Sequence, residues 1–424
     1  MATETFQSTH ATQAPESRQL PITSGGLSWI ERLARSSMQR RLEDIQGGVI
    51  RLSDRDQSIE LGQHSANALE ASWEVHSAEF YRHVATGGSL GVAESYLRGH
   101  WTTDDLTTLL RILCRNLKRI TPANAGIASP TKMAARIFHW LARNTKSRSQ
   151  KNIEAHYDLS NEFFELFLDP TLMYSSACFE RPEMTLHEAS IAKLERICRK
   201  LDLQESDSVL EIGTGWGGFA LHAVGKFGCH LTTTTISDAQ YQKACSRVRG
   251  AGLDDSVKLL KADYRDLSGQ FEKLVSIEMI EAVGHQFLDE YFAQCGRLLK
   301  PGGQFLLQGI VMPEERYESY CRSVDFIQKY VFPGGFLPSV AAMQQSVGRT
   351  SNLRMKSVED LSADYARTLR EWRTRFFARI ADVRGLGFDD RFIRMWEYYL
   401  CYCEAAFQES AVRVVQVVWE RPGS

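Results

Sequence analysis

No run of about 18 apolar residues occurs in the 424-residue chain, so no segment has the length to cross a bilayer as a helix. The nine cysteines form no CxxC pair and no Cys/His ligand spacing, which excludes a small disulfide scaffold and reads as reduced thiols in a cytosolic protein. No metal is expected. An excess of one charge is missing too: 50 Lys and Arg against 52 Asp and Glu leave −2, which excludes the strongly basic class of nucleic-acid binder. Met1 to Gly26 lacks the basic-then-apolar order of a signal peptide and, rich in Thr, Ser, Gln and Ala, reads as a disordered tail. What is there, 43% apolar and 24% charged residues, is a globular balance, and at about 150 residues per domain the length suggests two to three domains.

Residues 27–117 read as a small α+β domain. Trp29, Ile30, Leu33 and Ala34 have helical spacing, and Val49–Leu52 and Ser58–Leu61 look like short strands. Between Leu106 and Ile153 there is no acidic residue and there are ten basic ones, so residues 118–150 read as a basic linker. Within it Met133, Ile137, Phe138 and Leu141 share one helical face, which suits either an amphipathic helix on an anionic membrane or a packed interdomain helix.

From Ser208 to Val311, Val/Ile/Leu-rich strands alternate with helices, which predicts a doubly wound, Rossmann-like α/β sheet whose ligand sits beyond the carboxyl ends of the strands. The segment Val209–Gly218 carries Glu211, Gly213, Thr214, Gly215, Gly217 and Gly218, a strand running through a glycine-rich turn into a helix. This is not the strict GxGxxG dinucleotide fingerprint. It resembles motif I of class I S-adenosylmethionine-dependent methyltransferases, whose cationic sulfonium favours acidic and aromatic neighbours. Asp263 and Tyr264 past the third strand suit an adenine ring, and Thr235, Ser237 and Gln240 stand as neutral polar groups for the ribose hydroxyls.

Seven further segments, in order from Gly88–Tyr96 through His156–Asn161, Met173–Ser176, Thr235–Ser237, Asp263–Leu267 and Glu281–His285 to Tyr330–Gly335, resemble the cyclopropane fatty acid synthases. The resemblance implies a methyltransferase domain over residues 151–424, transfer of the methyl of S-adenosylmethionine to a cis double bond in an acyl chain of a membrane phospholipid, and closure of a cyclopropane ring. It places Tyr174, Ser175, Thr235, Gln240, Tyr264 and Arg265 around the cofactor. It also implies a bound bicarbonate as the base that takes a proton from the carbocation, held near Glu281, Ile310 and Tyr330, with His156 lining the active site. At two positions the chain departs from the family pattern: Ser176 replaces a common Cys and Gln308 a common His. Neither titrates near neutral pH, so a methyl-branched alkene stands as the alternative product.

Other readings follow from the same residues. Cys403 lies in an apolar helix and packs as a small hydrophobe, while His285 is either a helix-start residue or catalytic. Phe326, Tyr330, Phe332 and Phe336 form a wall suited to an acyl channel, covered by helices near Tyr365–Ile380 and Phe392–Phe407. N-methylation of a small amine, and a non-catalytic sensor of cofactor or carrier of lipid, are the rival functions. The expected partners are unsaturated phospholipid acyl chains at the cytoplasmic membrane surface and no nucleic acid, with a homodimer left open.

Overall fold

The computed structural model describes residues 27–120 and 159–423. The tail, most of the basic linker with its Met133–Leu141 face, and His156 lie outside the described residues.

The N-terminal lobe opens with α1 (Trp29–Leu42), started by a capping box in which the Ser28 side chain accepts from the Glu31 N–H and Glu31 reaches back to Ser28. A four-stranded sheet follows, β1 (Gly48–Ser53), β2 (Ser58–Gly62), β3 (Leu69–Val75) and β4 (Trp101–Thr102), in the order β2-β1-β3-β4. The short strands expected near residues 49 and 58 are β1 and β2. Helices α2 (Glu79–Gly87), α3 (Ser89–Leu97), α4 (Leu106–Arg115) and α5 (Leu117–Ile120) complete the lobe. Trp73, Phe80 and Trp101 fill its centre edge to face.

The larger lobe begins with α6 (Asn161–Glu165) and α7 (Leu186–Lys200), then alternates β5 (Ser208–Ile212), α8 (Gly218–Phe227), β6 (His230–Thr235), α9 (Asp238–Gly250), β7 (Val257–Lys261), β8 (Phe271–Ile277), α10 (Leu288–Leu298) and β9 (Leu299–Val311). Strands β5 to β9 are parallel, as expected of a doubly wound sheet. The order is β10-β11-β9-β8-β5-β6-β7, so the winding reverses between β5 and β8. The crevice beyond their carboxyl ends is the topological switch point where such sheets hold ligands.

After β9 come α11 (Glu314–Cys321), a π-helical turn at Ile327–Val331, α12 (Val340–Thr350), β10 (Arg354–Asp360), α13 (Ser362–Ala378), α14 (Ile380–Gly385), α15 (Asp390–Gln408) and β11 (Arg413–Glu420). Strands β10 and β11 are among the elements that the sequence pattern did not disclose, as are β3, β4, α7 and α12. β11 runs antiparallel between β9 and β10, with Val414 to Trp419 buried on both faces, which explains its nearly unbroken apolar run.

One core joins the lobes. Trp372 on α13 and Trp396 on α15 are each 1% exposed, and Trp396 packs against Phe163, Phe392 and Tyr399. Polar ties cross the same boundary: the Tyr96 hydroxyl donates to Glu397 at 2.7 Å, and Arg111 pairs with Glu409 at 2.7 Å.

Candidate active site

A single cavity of about 1220 Å³ occupies the switch point and runs between the lobes. Each parallel strand delivers side chains or turns to its wall from its carboxyl end: Gly213, Thr214 and Gly215 after β5, Thr235 and Gln240 after β6, Asp263, Tyr264 and Arg265 after β7, Glu278 and Glu281 after β8, and Ile310 at the end of β9. Tyr174 and Ser175 close the same wall.

The glycine-rich side is shaped by backbone. Gly213, Gly215 and Gly217 have φ of 97°, 53° and 84°, a region that glycine enters without steric cost. A Cβ on Gly218 would meet Met173 Sδ at 2.6 Å and the Thr171 carbonyl at 2.7 Å, so the start of α8 can approach the preceding loop only as glycine. Glu211 lies behind this turn, accepting from the Thr233 hydroxyl at 2.6 Å, and burial pushes its carboxyl up to about 7. Thr235 donates to Gln240 at 3.0 Å, and Ser237 caps α9. Asp263 holds the Arg265 guanidinium by two bonds, Nε to Oδ1 at 2.8 Å and Nη2 to Oδ2 at 2.6 Å. Tyr264 stands edge to face with Tyr291.

The opposite side carries two carboxyl groups. Glu281 Oε1 accepts from the Ile310 N–H at 2.5 Å, while its buried Oε2 has no partner among the described residues. Burial first, and the neighbouring Glu278 second, push this carboxyl up to about 8. Glu278 is strongly engaged. Its Oε1 accepts from the Ser176 N–H and from Gln308 Nε2, both at 2.8 Å, and its Oε2 accepts from the Tyr365 hydroxyl at 2.6 Å. Its φ of 50° places a non-glycine residue in the left-handed region. Lys193, fully buried, donates to Ser175 Oγ at 2.6 Å, and burial pushes its amine down to about 8.

A model of the mycolic acid cyclopropane synthetase family matches residues 144–417. The chain belongs to this family. Among relatives, the tuberculostearic acid methyltransferase UfaA1 of Mycobacterium tuberculosis is 38% identical over 349 residues, 81% of each chain. The cyclopropane-fatty-acyl-phospholipid synthase of Escherichia coli is 37% identical over 350 residues, covering 82% of this chain and 87% of that one. Among solved structures, the Mycobacterium tuberculosis mycolic acid cyclopropane synthase CmaA1, complexed with SAH and CTAB, superposes with a TM-score of 0.61 at 32% identity, covering 64% of this chain and 98% of that one.

This member of the cyclopropane synthetase family is a methyltransferase that uses S-adenosylmethionine. The glycine side fits that cofactor, since positive-φ glycines leave the cavity wall bare of side chains where a ligand must approach closely. Of the residues singled out from sequence, Tyr174, Ser175, Gly213, Thr214, Gly215, Thr235, Gln240, Asp263, Tyr264, Arg265, Glu281 and Ile310 share the cavity wall. Glu211, Gly217 and Gly218 support it from behind. Ser176 and Gln308, each 0% exposed, also stand behind the wall, bonded to Glu278. Tyr330 is turned elsewhere: its hydroxyl donates to Glu94 on α3 at 2.9 Å, because the π-helical turn aims it at the N-terminal lobe. His285 packs against Phe336 with ring centroids 5.0 Å apart, off the cavity. Cys403 lines the cavity, and burial pushes its thiol far up. Phe332 and Phe336 belong to the wall as expected.

Sequence reasoning missed Glu278, Lys193 and Tyr365. Their signal is faint: an acid directly after the apolar strand β8, and a lysine on the buried face of α7. Outside the cavity, Glu79, His83 and His100 bring three ligand-type atoms within 4.8 Å of one another, a juxtaposition hidden by their spacing in the chain.

Proposed function

We propose that the chain transfers the methyl group of S-adenosylmethionine to the cis double bond of an unsaturated phospholipid acyl chain, and that the resulting cation closes a cyclopropane ring. One observation carries this reading. The cavity exceeds the range of about 300–1,000 Å³ typical of small-ligand pockets, and beyond the glycine loop its lining is predominantly apolar, with Leu42, Trp73, Val92, Leu110, Leu369 and Phe407 drawn from both lobes. A soluble amine has no use for such a lining. The cofactor supplies an electrophilic methyl group. The protein's part is to hold the alkene in line with it, exclude water, and face the developing positive charge with Tyr174, Tyr264 and the carboxyls of Glu278 and Glu281.

The first helix supports a membrane as the source of the acyl chain. Trp29, Ile30 and Leu33 are 69%, 48% and 58% exposed, and Ile30 shares its helical stripe with Ala34, Ser37 and Arg41, which line the cavity. An apolar patch continuous with a cavity wall suits insertion among lipid tails, with Arg40, Arg41, Lys118 and Arg119 available to anionic headgroups. No helix among the described residues is long and apolar enough to cross a membrane.

A methyl-branched alkene is the second reading. It is favoured by the UfaA1 relative, named for tuberculostearic acid, and by the two non-titrating residues Ser176 and Gln308, of which Gln308 spends its side-chain amide on Glu278. The two products differ only in which proton leaves the cation. Incubation with methyl-labelled S-adenosylmethionine and unsaturated phospholipid vesicles, followed by gas chromatography and mass spectrometry of the acyl chains, tests both. Label in the lipid supports the proposal, a saturated ring or a branched alkene names the product, and no label in the lipid rejects it.

A further inference from the structure

We propose that Glu278 is the proton-accepting group of this site, a carboxylate built into the chain where the family resemblance implies a bound bicarbonate. The inference rests on the acyl-methylation reading above. Its ground is that the two positions at which the chain departs from the family pattern meet at one Glu278 oxygen: the Ser176 backbone N–H and the Gln308 side-chain amide each donate to Oε1 at 2.8 Å, while the Ser176 hydroxyl turns away to the Ala177 carbonyl. A freely diffusing anion would need those donors, and they are already engaged. It would also have to settle beside the Glu278 carboxylate, whose like charge opposes it.

The orientation of Gln308 is fixed from behind by a chain of donors. Lys200 Nζ donates to Gln416 Oε1 at 2.7 Å, Gln416 Nε2 donates to Gln308 Oε1 at 2.9 Å, and Gln308 Nε2 is thereby left pointing at Glu278. Gln416 comes from β11, so the antiparallel insertion contributes to the site. Glu278 itself is held by a backbone N–H donating to the Gln308 carbonyl at 2.7 Å, in a left-handed conformation that costs a glutamate energy and persists only where its surroundings impose it.

Two carboxyls in one cavity divide into two roles when their surroundings differ. Burial pushes both carboxyls up, but Glu278 receives three hydrogen bonds and the attraction of Lys193, which oppose that push, whereas Glu281 receives one N–H, faces Glu278 and is pushed up to about 8. Glu278 is therefore the acceptor and Glu281 the neutral neighbour. The step balances without another reactant. The alkene π pair forms the bond to the methyl carbon as the C–S bond breaks and its electrons stay on sulfur, leaving a cation on the second alkene carbon. A C–H bond next to the cation, or on the new methyl, then breaks; its electron pair forms the new C=C or ring bond, and the proton goes to Glu278 Oε2, which accepts from the Tyr365 hydroxyl.

The test measures methyl transfer by the full chain into unsaturated phospholipid vesicles, in buffer stripped of carbon dioxide and again with added bicarbonate. The expected result is one rate in both. Glu278→Gln should lower that rate by about 10²-fold or more, the range of general-base loss, with the affinity for S-adenosylmethionine unchanged. Glu278→Gly, which also relieves the left-handed backbone, should regain part of the rate with added acetate or bicarbonate. A wild-type rate that collapses without bicarbonate overturns the inference while leaving acyl methylation standing, as does a Glu278→Gln rate equal to wild type. Failure of wild-type protein to label lipid under either condition instead overturns the underlying function. The wild-type comparison needs no variant to fold.

Discussion

Glu281 offers a perturbation whose sign and size follow from the site. Its carboxyl is pushed from an ordinary 4.5 up to about 8, because it is buried beside Glu278. A raised acid loses stability on ionising: the unfolded chain releases this proton near 4.5, whereas the folded chain holds it to about 8. The destabilisation is therefore absent below about pH 4.5, grows as pH rises, and is complete above about pH 8. At about 1.4 kcal/mol per pH unit the full displacement corresponds to about 5 kcal/mol. Water in the cavity screens part of this, and about 2 kcal/mol is expected to be measurable. Glu281→Gln keeps an acceptor for the Ile310 N–H but cannot ionise. Urea unfolding at several pH values should show it about 2 kcal/mol more stable than wild type above pH 8, with the two curves converging toward pH 5. Equal stability at every pH, or a gain that grows toward acid, would refute the placement of Glu281 as a buried, Glu278-facing acid.

Three further outcomes are expected. Gly218→Ala should place its Cβ against Met173 and the Thr171 carbonyl, costing about 1–3 kcal/mol and weakening S-adenosylmethionine binding, read by calorimetry and thermal melting. The triple change Trp29→Ser, Ile30→Ser and Leu33→Ser, all at exposed positions, should leave melting and cofactor affinity unchanged but cut co-sedimentation with anionic phospholipid vesicles at least about tenfold, since each large apolar side chain contributes about 1.5–3 kcal/mol when buried. Trp396→Ala should cost about 3–5 kcal/mol, because it empties the aromatic cluster through which α15 packs on Phe163 of α6, and denaturant melts would show it.

Much of the large lobe is legible because its signals are local. Parallel strands buried on both faces must be apolar from end to end, and the glycine turn after β5 needs residues that adopt positive φ. Strand β11 escaped because a buried antiparallel strand at the C-terminus has no crossover helix to announce it. The family resemblance implies Tyr330 beside Glu281, yet a π-helical turn of five residues directs its hydroxyl to Glu94, 236 positions away.

The α/β class, the strand and turn that carry the cofactor wall, and the family could be read from the chain alone, since periodicity, glycine placement and ordered motifs are local features of it. What the carboxyls do is fixed by packing. Glu278 meets Ser176, Gln308 and Tyr365 across separations of 102, 30 and 87 positions, and the charge each acid carries is set by how many donors reach it and how much water is excluded. Those quantities belong to the packed molecule, because hydrogen bonds and desolvation arise only when distant segments are brought together.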